Sequence, residues 1–170
     1  MDDVHQIADL CYQYAFHIDG AEWDDLARLF EHGAVSFVAP GMDLPTVEGF
    51  EAVRGHYADR VLVHGGSPRT RHVITNLSVD VQPDGVSAKA RSYYMVLQWG
   101  QDRPLTVIAS GQYRDEFTRA DGRWRFVHRA IVGDDNQDLG HHFRGPETDE
   151  RANPEPAGSG DVVLTNGGHS

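Results

Sequence analysis

Arg71-His72-Val73-Ile74-Thr75-Asn76-Leu77-Ser78-Val79-Asp80-Val81 alternates side chains between two faces, as a strand does. It follows a break at Gly65-Gly66-Ser67-Pro68, and the pattern on the two sides of that break differs. Downstream, three more long period-two runs are predicted, Val86–Trp99, Leu105–Thr118 and Trp124–Val132. Pro83-Asp84-Gly85, Gly100-Gln101-Asp102-Arg103-Pro104 and Ala120-Asp121-Gly122-Arg123 separate them. Short loops between consecutive long strands predict an antiparallel meander.

Upstream, the period is helical. Ile7, Leu10, Cys11, Tyr14 and Ile18 predict an amphipathic helix over 3–18, with Gly20 as its C-cap. A short helix from Glu22 to Phe30, a strand at Val35-Ser36-Phe37-Val38 closed by Pro40-Gly41, and a mostly helical stretch from Val47 to Val63 follow. Helices first and then a run of strands predict an α+β fold: a curved sheet closed by helices into a cone-shaped barrel around a pocket.

The chain has 170 residues, and residues 1–144 are read as one domain. About 145 residues suffice for one core burying roughly two-thirds of the unfolded surface. Residues 145–170, rich in Pro and Gly, are read as a flexible tail whose apolar patch is Val162-Val163-Leu164. A net charge of −11 and a pI near 5.2 argue against nucleic acid or an anionic membrane as partner. Cys11 is the one cysteine, which fits a reducing compartment. The acidic start lacks a signal-peptide pattern and no run approaches a membrane span, so the expectation is a cytoplasmic, soluble protein. No internal repeat is present.

Six signals then meet a known family. They are Tyr14-x4-Asp19-Gly20, Asp24-Asp25-Leu26-x2-Leu29-Phe30, Gly49-x2-Ala52-Val53, Arg71-His72-x3-Asn76, Gly111-x-Tyr113-x3-Phe117, and Asp121-Gly122-x-Trp124-x-Phe126-x2-Arg129. In this order over residues 3–143 the chain resembles the NTF2-like superfamily, and its SnoaL-like branch most. That fold hosts dehydratases, isomerases, polyketide cyclases and non-catalytic subunits, so resemblance alone does not choose among them. It implies a hydrophobic small-molecule ligand and a homotrimer or homodimer.

His72 is the first candidate. It shares a face with Ile74, Asn76 and Ser78, a mixed face suited to a pocket wall; Val73, Thr75, Leu77 and Val79 form the other. On its own it reads first as an exposed or hydrogen-bonded histidine at a strand end. The resemblance to scytalone dehydratase, bile-acid 7α-dehydratase and hexachlorocyclohexane dehydrochlorinase implies a general base here. Asp19, at the helix end, opposes the helix dipole. It reads either as a turn and cap residue or, as the resemblance implies, as the partner that orients His72. Tyr14 reads as core packing, and the resemblance implies an oxyanion donor or acid. An ideal helix sets positions 14 and 19 about 140° apart, so the two converge only if the helix frays near its end or the pocket wraps around its tip.

Arg129 and Asn76 are candidate substrate-binding residues. Strict alternation groups Arg129 with Val127 and Ile131, and His128 with Trp124 and Phe126; a bulge would swap them, so the inward residue of the two is open. Tyr94, Tyr113 and Phe37 are candidate pocket walls. Asp134, Asp135, Asp138, His141 and His142 cluster, yet their spacing matches no helical metal motif and they read as a polar segment leaving the last strand. No metal or cofactor is expected, and no phosphate loop, dinucleotide fingerprint or serine-nucleophile motif is present. The readings that follow are a cofactor-independent lyase or isomerase, a polyketide aldol cyclase, a dioxygenase β-like subunit without catalysis, and a ligand-binding protein.

Overall fold

The computed structural model describes residues 2–38, 44–100 and 104–134. The tail, the polar residues from Asp135 to His142 and the turn at Pro40-Gly41 lie outside these. Helix α1 (Asp3–Gly20) opens the chain, with Asp2 accepting from the His5 amide at 2.8 Å as N-cap. Its buried stripe is Ile7, Cys11, Tyr14, Ala15 and Ile18. The helix runs two residues further than its apolar spacing predicts. Ala21, not Gly20, takes the left-handed position that ends it, at φ 57°. Asp19 is therefore a regular helical residue, and the fraying that would bring it round to Tyr14 does not occur.

Helix α2 (Trp23–Arg28), strand β1 (Ala34–Val38), the two-residue strand β2 (Val47–Glu48) and helix α3 (Gly49–Arg60) follow. The meander then comes as expected: β3 (Thr70–Val81), β4 (Ser87–Gln98), β5 (Thr106–Ala120) and β6 (Arg123–Gly133). The sheet order is β2-β1-β6-β5-β4-β3. All neighbours are antiparallel except β1 and β6, which run parallel, so the sheet is mixed. The six strands do not close on themselves: the curved sheet keeps β2 and β3 as edges, and α1 lies against β3 and β6. No helix among the described residues is long and apolar enough to cross a membrane.

Register shifts interrupt the pairing at three places, opposite Val96-Leu97 in β5 and in β3 and β6, and the last two decide where the candidate residues point. In β3 the register slips between Thr75 and Ser78, and Asn76 adopts φ 55°, a left-handed conformation that asparagine tolerates better than most residues. Ile74 before the slip and Leu77, Val79 and Val81 after it pack on the core, while Asn76 and Ser78 are exposed. The face shared by His72 and Asn76 in strict alternation is thus split by one residue.

In β6 the slip falls at Val127, which is skipped in the pairing between Glu116↔His128 and Phe117↔Phe126. Trp124 and Phe126 face inward before it, and Arg129 and Ile131 after it. His128 turns outward, where Nε2 meets the Ser36 hydroxyl at 2.9 Å. Gly33 sits against this bulge; a Cβ there would lie 2.6 Å from the Phe126 carbonyl oxygen, so the close approach of backbone requires glycine.

Arg129 is fully buried and pairs in register with Asp115 of β5. Its Nε and Nη2 donate to the two carboxylate oxygens at 2.8 and 2.7 Å. The guanidinium carbon lies 4.3, 4.2 and 4.8 Å from the ring centroids of Tyr14, Tyr113 and Phe126. Nη1 has no hydrogen-bond partner among the described residues and is left to those ring faces. Cys11 donates its thiol to Asp115 at 3.7 Å, and burial pushes that thiol up to about 12, so it is a packing residue and no nucleophile. Asp115→Ala strands a charged guanidinium in the core and is expected to cost about 3–5 kcal/mol. Urea unfolding measures it; a loss below about 1 kcal/mol would mean that the pair is not buried as described.

Candidate active site

Strand β3 is a sheet edge, so every second backbone N–H and C=O along it has no strand to pair with. Asp19 supplies one partner. Its carboxylate accepts from the His72 amide at 2.8 Å, the Thr70 hydroxyl at 2.7 Å and the His72 ring Nδ1 at 2.7 Å. The last turn of α1 is thereby tied to the start of β3 across a separation of 53 residues. Both side chains are enclosed, 8% and 5% exposed for Asp19 and His72.

An ionised carboxylate only accepts, so Nδ1 of His72 carries the proton in this bond and Nε2 is the nitrogen with the lone pair. Burial alone would raise the Asp19 carboxyl. The hydrogen bonds from the His72 ring and amide and from Thr70, with the charge His72 acquires, outweigh it and hold the group below its ordinary 3.8.

The pair opens on a cavity of about 590 Å³ along the β3 edge. Asp9, Tyr12, Ala15, Phe16, Asp19 and Gly20 of α1 line one side, and Arg71, His72 and Ile74 line the other. Tyr12 and Phe16 are 43% and 74% exposed, so the walls are apolar and the cavity opens outward. It is of a size for a small organic ligand.

The other expected site residues lie elsewhere. Tyr14 points into the core, where its hydroxyl meets that of Tyr57 at 2.8 Å; burial raises the phenol to about 12 against the opposing pull of Arg129. Arg129 is committed to Asp115. Tyr94 and Tyr113 stack on each other at 4.5 Å, and Phe37 stacks on His56 at 4.7 Å. Asn76 lies at the β3 bulge, in a separate polar hollow with Ser78, Arg91, Tyr93 and Gln112. Tyr14, Arg129, Asn76, Tyr94, Tyr113 and Phe37 are thus not among the residues lining the Asp19–His72 cavity.

Sequence reading passed over several contributors. Thr70 holds Asp19 from one residue before the Arg71-His72 pair. Asp115 sits in the inward row of β5, between Tyr113 and Phe117, and a carboxylate in an apolar row is a readable sign of a buried partner. Tyr12 and Phe16 are apolar residues off the core stripe of α1, four apart on one flank. His56 is 8% exposed; burial, with Arg60 nearby, lowers it to about 4, so it is a neutral ring at neutral pH.

An NTF2-like fold, a curved sheet with helices on one face, is what this topology defines, and comparison with known proteins narrows it. The SnoaL-like domain model matches residues 1–130, and the chain belongs to that family. Among solved structures, a Mycobacterium tuberculosis protein of unknown function is similar at 28% identity and a TM-score of 0.64, over 78% of this chain and 72% of that one. A candidate scytalone dehydratase from Novosphingobium aromaticivorans is similar at 25% identity and 0.58, over 76% and 83%. ActVI-ORFA from Streptomyces coelicolor shares the fold at 21% identity and 0.62, over 76% and 96%. No curated protein matches the sequence.

Two pH effects follow. Asp19 has a folded value below its unfolded one, so its contribution is complete above the ordinary carboxylate range and fades as pH falls through the folded value. The stability gap between the parent protein and Asp19→Asn, read by urea unfolding, should narrow from pH 6 to pH 3; a constant gap contradicts the ionised pair. His56 is depressed, so the unfolded chain binds the extra proton between about 6.5 and 4 and stability drops as pH falls through that window. His56→Phe should recover about 1–2 kcal/mol at pH 5 relative to its effect at pH 8. An equal effect at both pH values contradicts a ring kept neutral by burial.

Proposed function

We propose that this protein is a cofactor-independent lyase or isomerase that uses the Asp19–His72 pair as general base on an activated C–H of a hydrophobic small molecule. The observation that carries this reading is the 2.7 Å bond from His72 Nδ1 to an enclosed carboxylate at the wall of an apolar cavity. His72 Nε2 takes a proton from a carbon beside a carbonyl, and the electron pair moves to the carbonyl oxygen as an enolate. The resulting imidazolium forms an ion pair with Asp19. It then returns its proton to a leaving hydroxyl, giving water and an alkene, or to another carbon, giving the isomer. Attack of the enolate carbon on a second carbonyl gives the aldol cyclase variant of the same chemistry.

One positioned base contributes roughly 10²–10⁴ in rate, enough for an acidic C–H beside a carbonyl and too little for an unactivated one. A polycyclic or polyketide-like ketone supplies that acidity and suits walls of Tyr12, Phe16, Ala15 and Ile74. The family and the dehydratase-like neighbour support a lyase reading, because the same fold in them is associated with that class.

Deuterium exchange at the α carbon of 2-tetralone in D₂O, followed by proton NMR, tests the base without the natural substrate. The parent protein is expected to accelerate it, and His72→Ala and Asp19→Asn to lower that acceleration by roughly 10²–10⁴. Tyr14→Phe, altered only in the core, should leave the rate in place. Exchange unaffected by His72→Ala sinks the base. Binding of 2-tetralone with no exchange in the parent protein supports the ligand-binding reading instead.

A further inference from the structure

The candidate reaction builds negative charge on a carbonyl oxygen, and the two hydroxyl and guanidinium donors suggested by sequence, Tyr14 and Arg129, are buried elsewhere with partners of their own. A different cation stands at the cavity. In an antiparallel strand the N–H and C=O of one residue point to the same side, and residues two apart share that side. The His72 amide points outward from the sheet edge, since Asp19 accepts it, so the Thr70 carbonyl points outward too. Arg71 Nη1 donates to that carbonyl at 3.2 Å. Its side chain starts on the sheet face opposite His72, yet the guanidinium ends at the edge where Asp19 and His72 meet.

Trp99 supports the arginine from below, with the guanidinium carbon 5.4 Å from the indole centroid. Arg28, Arg54, Arg119 and Arg125 each pair with an aspartate. Arg71 has no carboxylate partner among the described residues, in a chain of net charge −11. It is also the one permanent cation among the described residues lining this cavity. The opposite end carries Asp9, ten residues and so about 15 Å back along α1 from Asp19. Along the cavity the Arg71 guanidinium stands beside the Asp19–His72 pair, Tyr12 and Phe16 give the apolar stretch, and Asp9 lies at the far end.

We propose that Arg71 is the anion-recognition residue of this site and that its ligands are amphipathic acids, with an aromatic or alicyclic body against Tyr12 and Phe16 and a carboxylate or enolate oxygen at Arg71. This rests on the Asp19–His72 cavity being the ligand site. A guanidinium already oriented by Thr70 and Trp99 keeps donors for a planar two-oxygen group, which a lysine ammonium lacks in that geometry. A carboxylate or an enolisable β-dicarbonyl placed there sets its adjacent C–H beside His72.

Binding of 2-naphthoate and its neutral isostere 2-naphthamide, measured by NMR titration of the ¹⁵N-labelled full chain, tests this without turnover. The parent protein is expected to bind the acid roughly 5–20-fold more tightly than the amide, an effect in the range of a charge-assisted bond to one guanidinium. Arg71→Gln should remove the preference while leaving amide affinity unchanged, and Arg71→Lys should restore part of it. Equal binding of the two probes by the parent protein overturns the proposal, as does a preference that survives Arg71→Gln. Loss of amide binding in Arg71→Gln overturns it also, because the residue would then shape the cavity and not read charge. Failure of the general base alone would abolish the exchange reaction and leave this preference intact.

Discussion

The candidate site depends on one carboxylate that does three things at once. Asp19 ties the last turn of a helix to the sheet, caps an unpaired edge amide and orients an imidazole. The first two roles are structural, and they make the third reliable. A helix C-terminus is an unfavourable place for an anion, because the last carbonyls point at it. Three donors from β3 offset that cost, so the carboxylate is held in one position and remains ionised. The edge strand gains from the same contact, since an exposed edge at the first residues of β3 is where another strand could add.

A second buried charge fixes the frame around it. The Arg129–Asp115 pair joins β5 to β6 in the core and is covered by Tyr14, Tyr113 and Phe126. Tyr14 thereby links α1 to the sheet through a ring face and to α3 through the Tyr57 hydroxyl. With Tyr14 held from both sides, α1 cannot rotate without breaking these contacts, and the flank carrying Asp19 stays on β3. Tyr14, for which the family resemblance implies a donor or acid role, lies in this frame with its hydroxyl on Tyr57.

Much of the architecture was legible from periodicity. The four long strands, their turns and the amphipathic first helix come from patterns sustained over ten or more residues, where a one-residue error does not change the element. The Asp19–His72 juxtaposition came from family resemblance and not from spacing, since nothing local relates positions 53 apart. What periodicity could not supply was phase beyond a bulge. One inserted residue at Asn76 and one at Val127 reverse every later inside-outside assignment in their strands. That is why Asn76 leaves the face of His72 and why Arg129 is inward. The helix end lies two residues beyond the apolar spacing, and its left-handed cap falls on Ala21, where alanine is costlier than the glycine one residue before it. Arg71 was overlooked because strand alternation puts it on the wrong face; a long side chain at an edge strand can turn the corner.

General-base chemistry at this site depends on the orientation of one ring. Two-bond ¹H–¹⁵N correlation NMR of the neutral His72 ring reads which nitrogen carries the proton. The account predicts an Nδ1-protonated ring with an unprotonated Nε2, shifting away from that tautomer in Asp19→Asn. An Nε2-protonated ring in the parent protein would contradict it, because the basic nitrogen would then face the carboxylate.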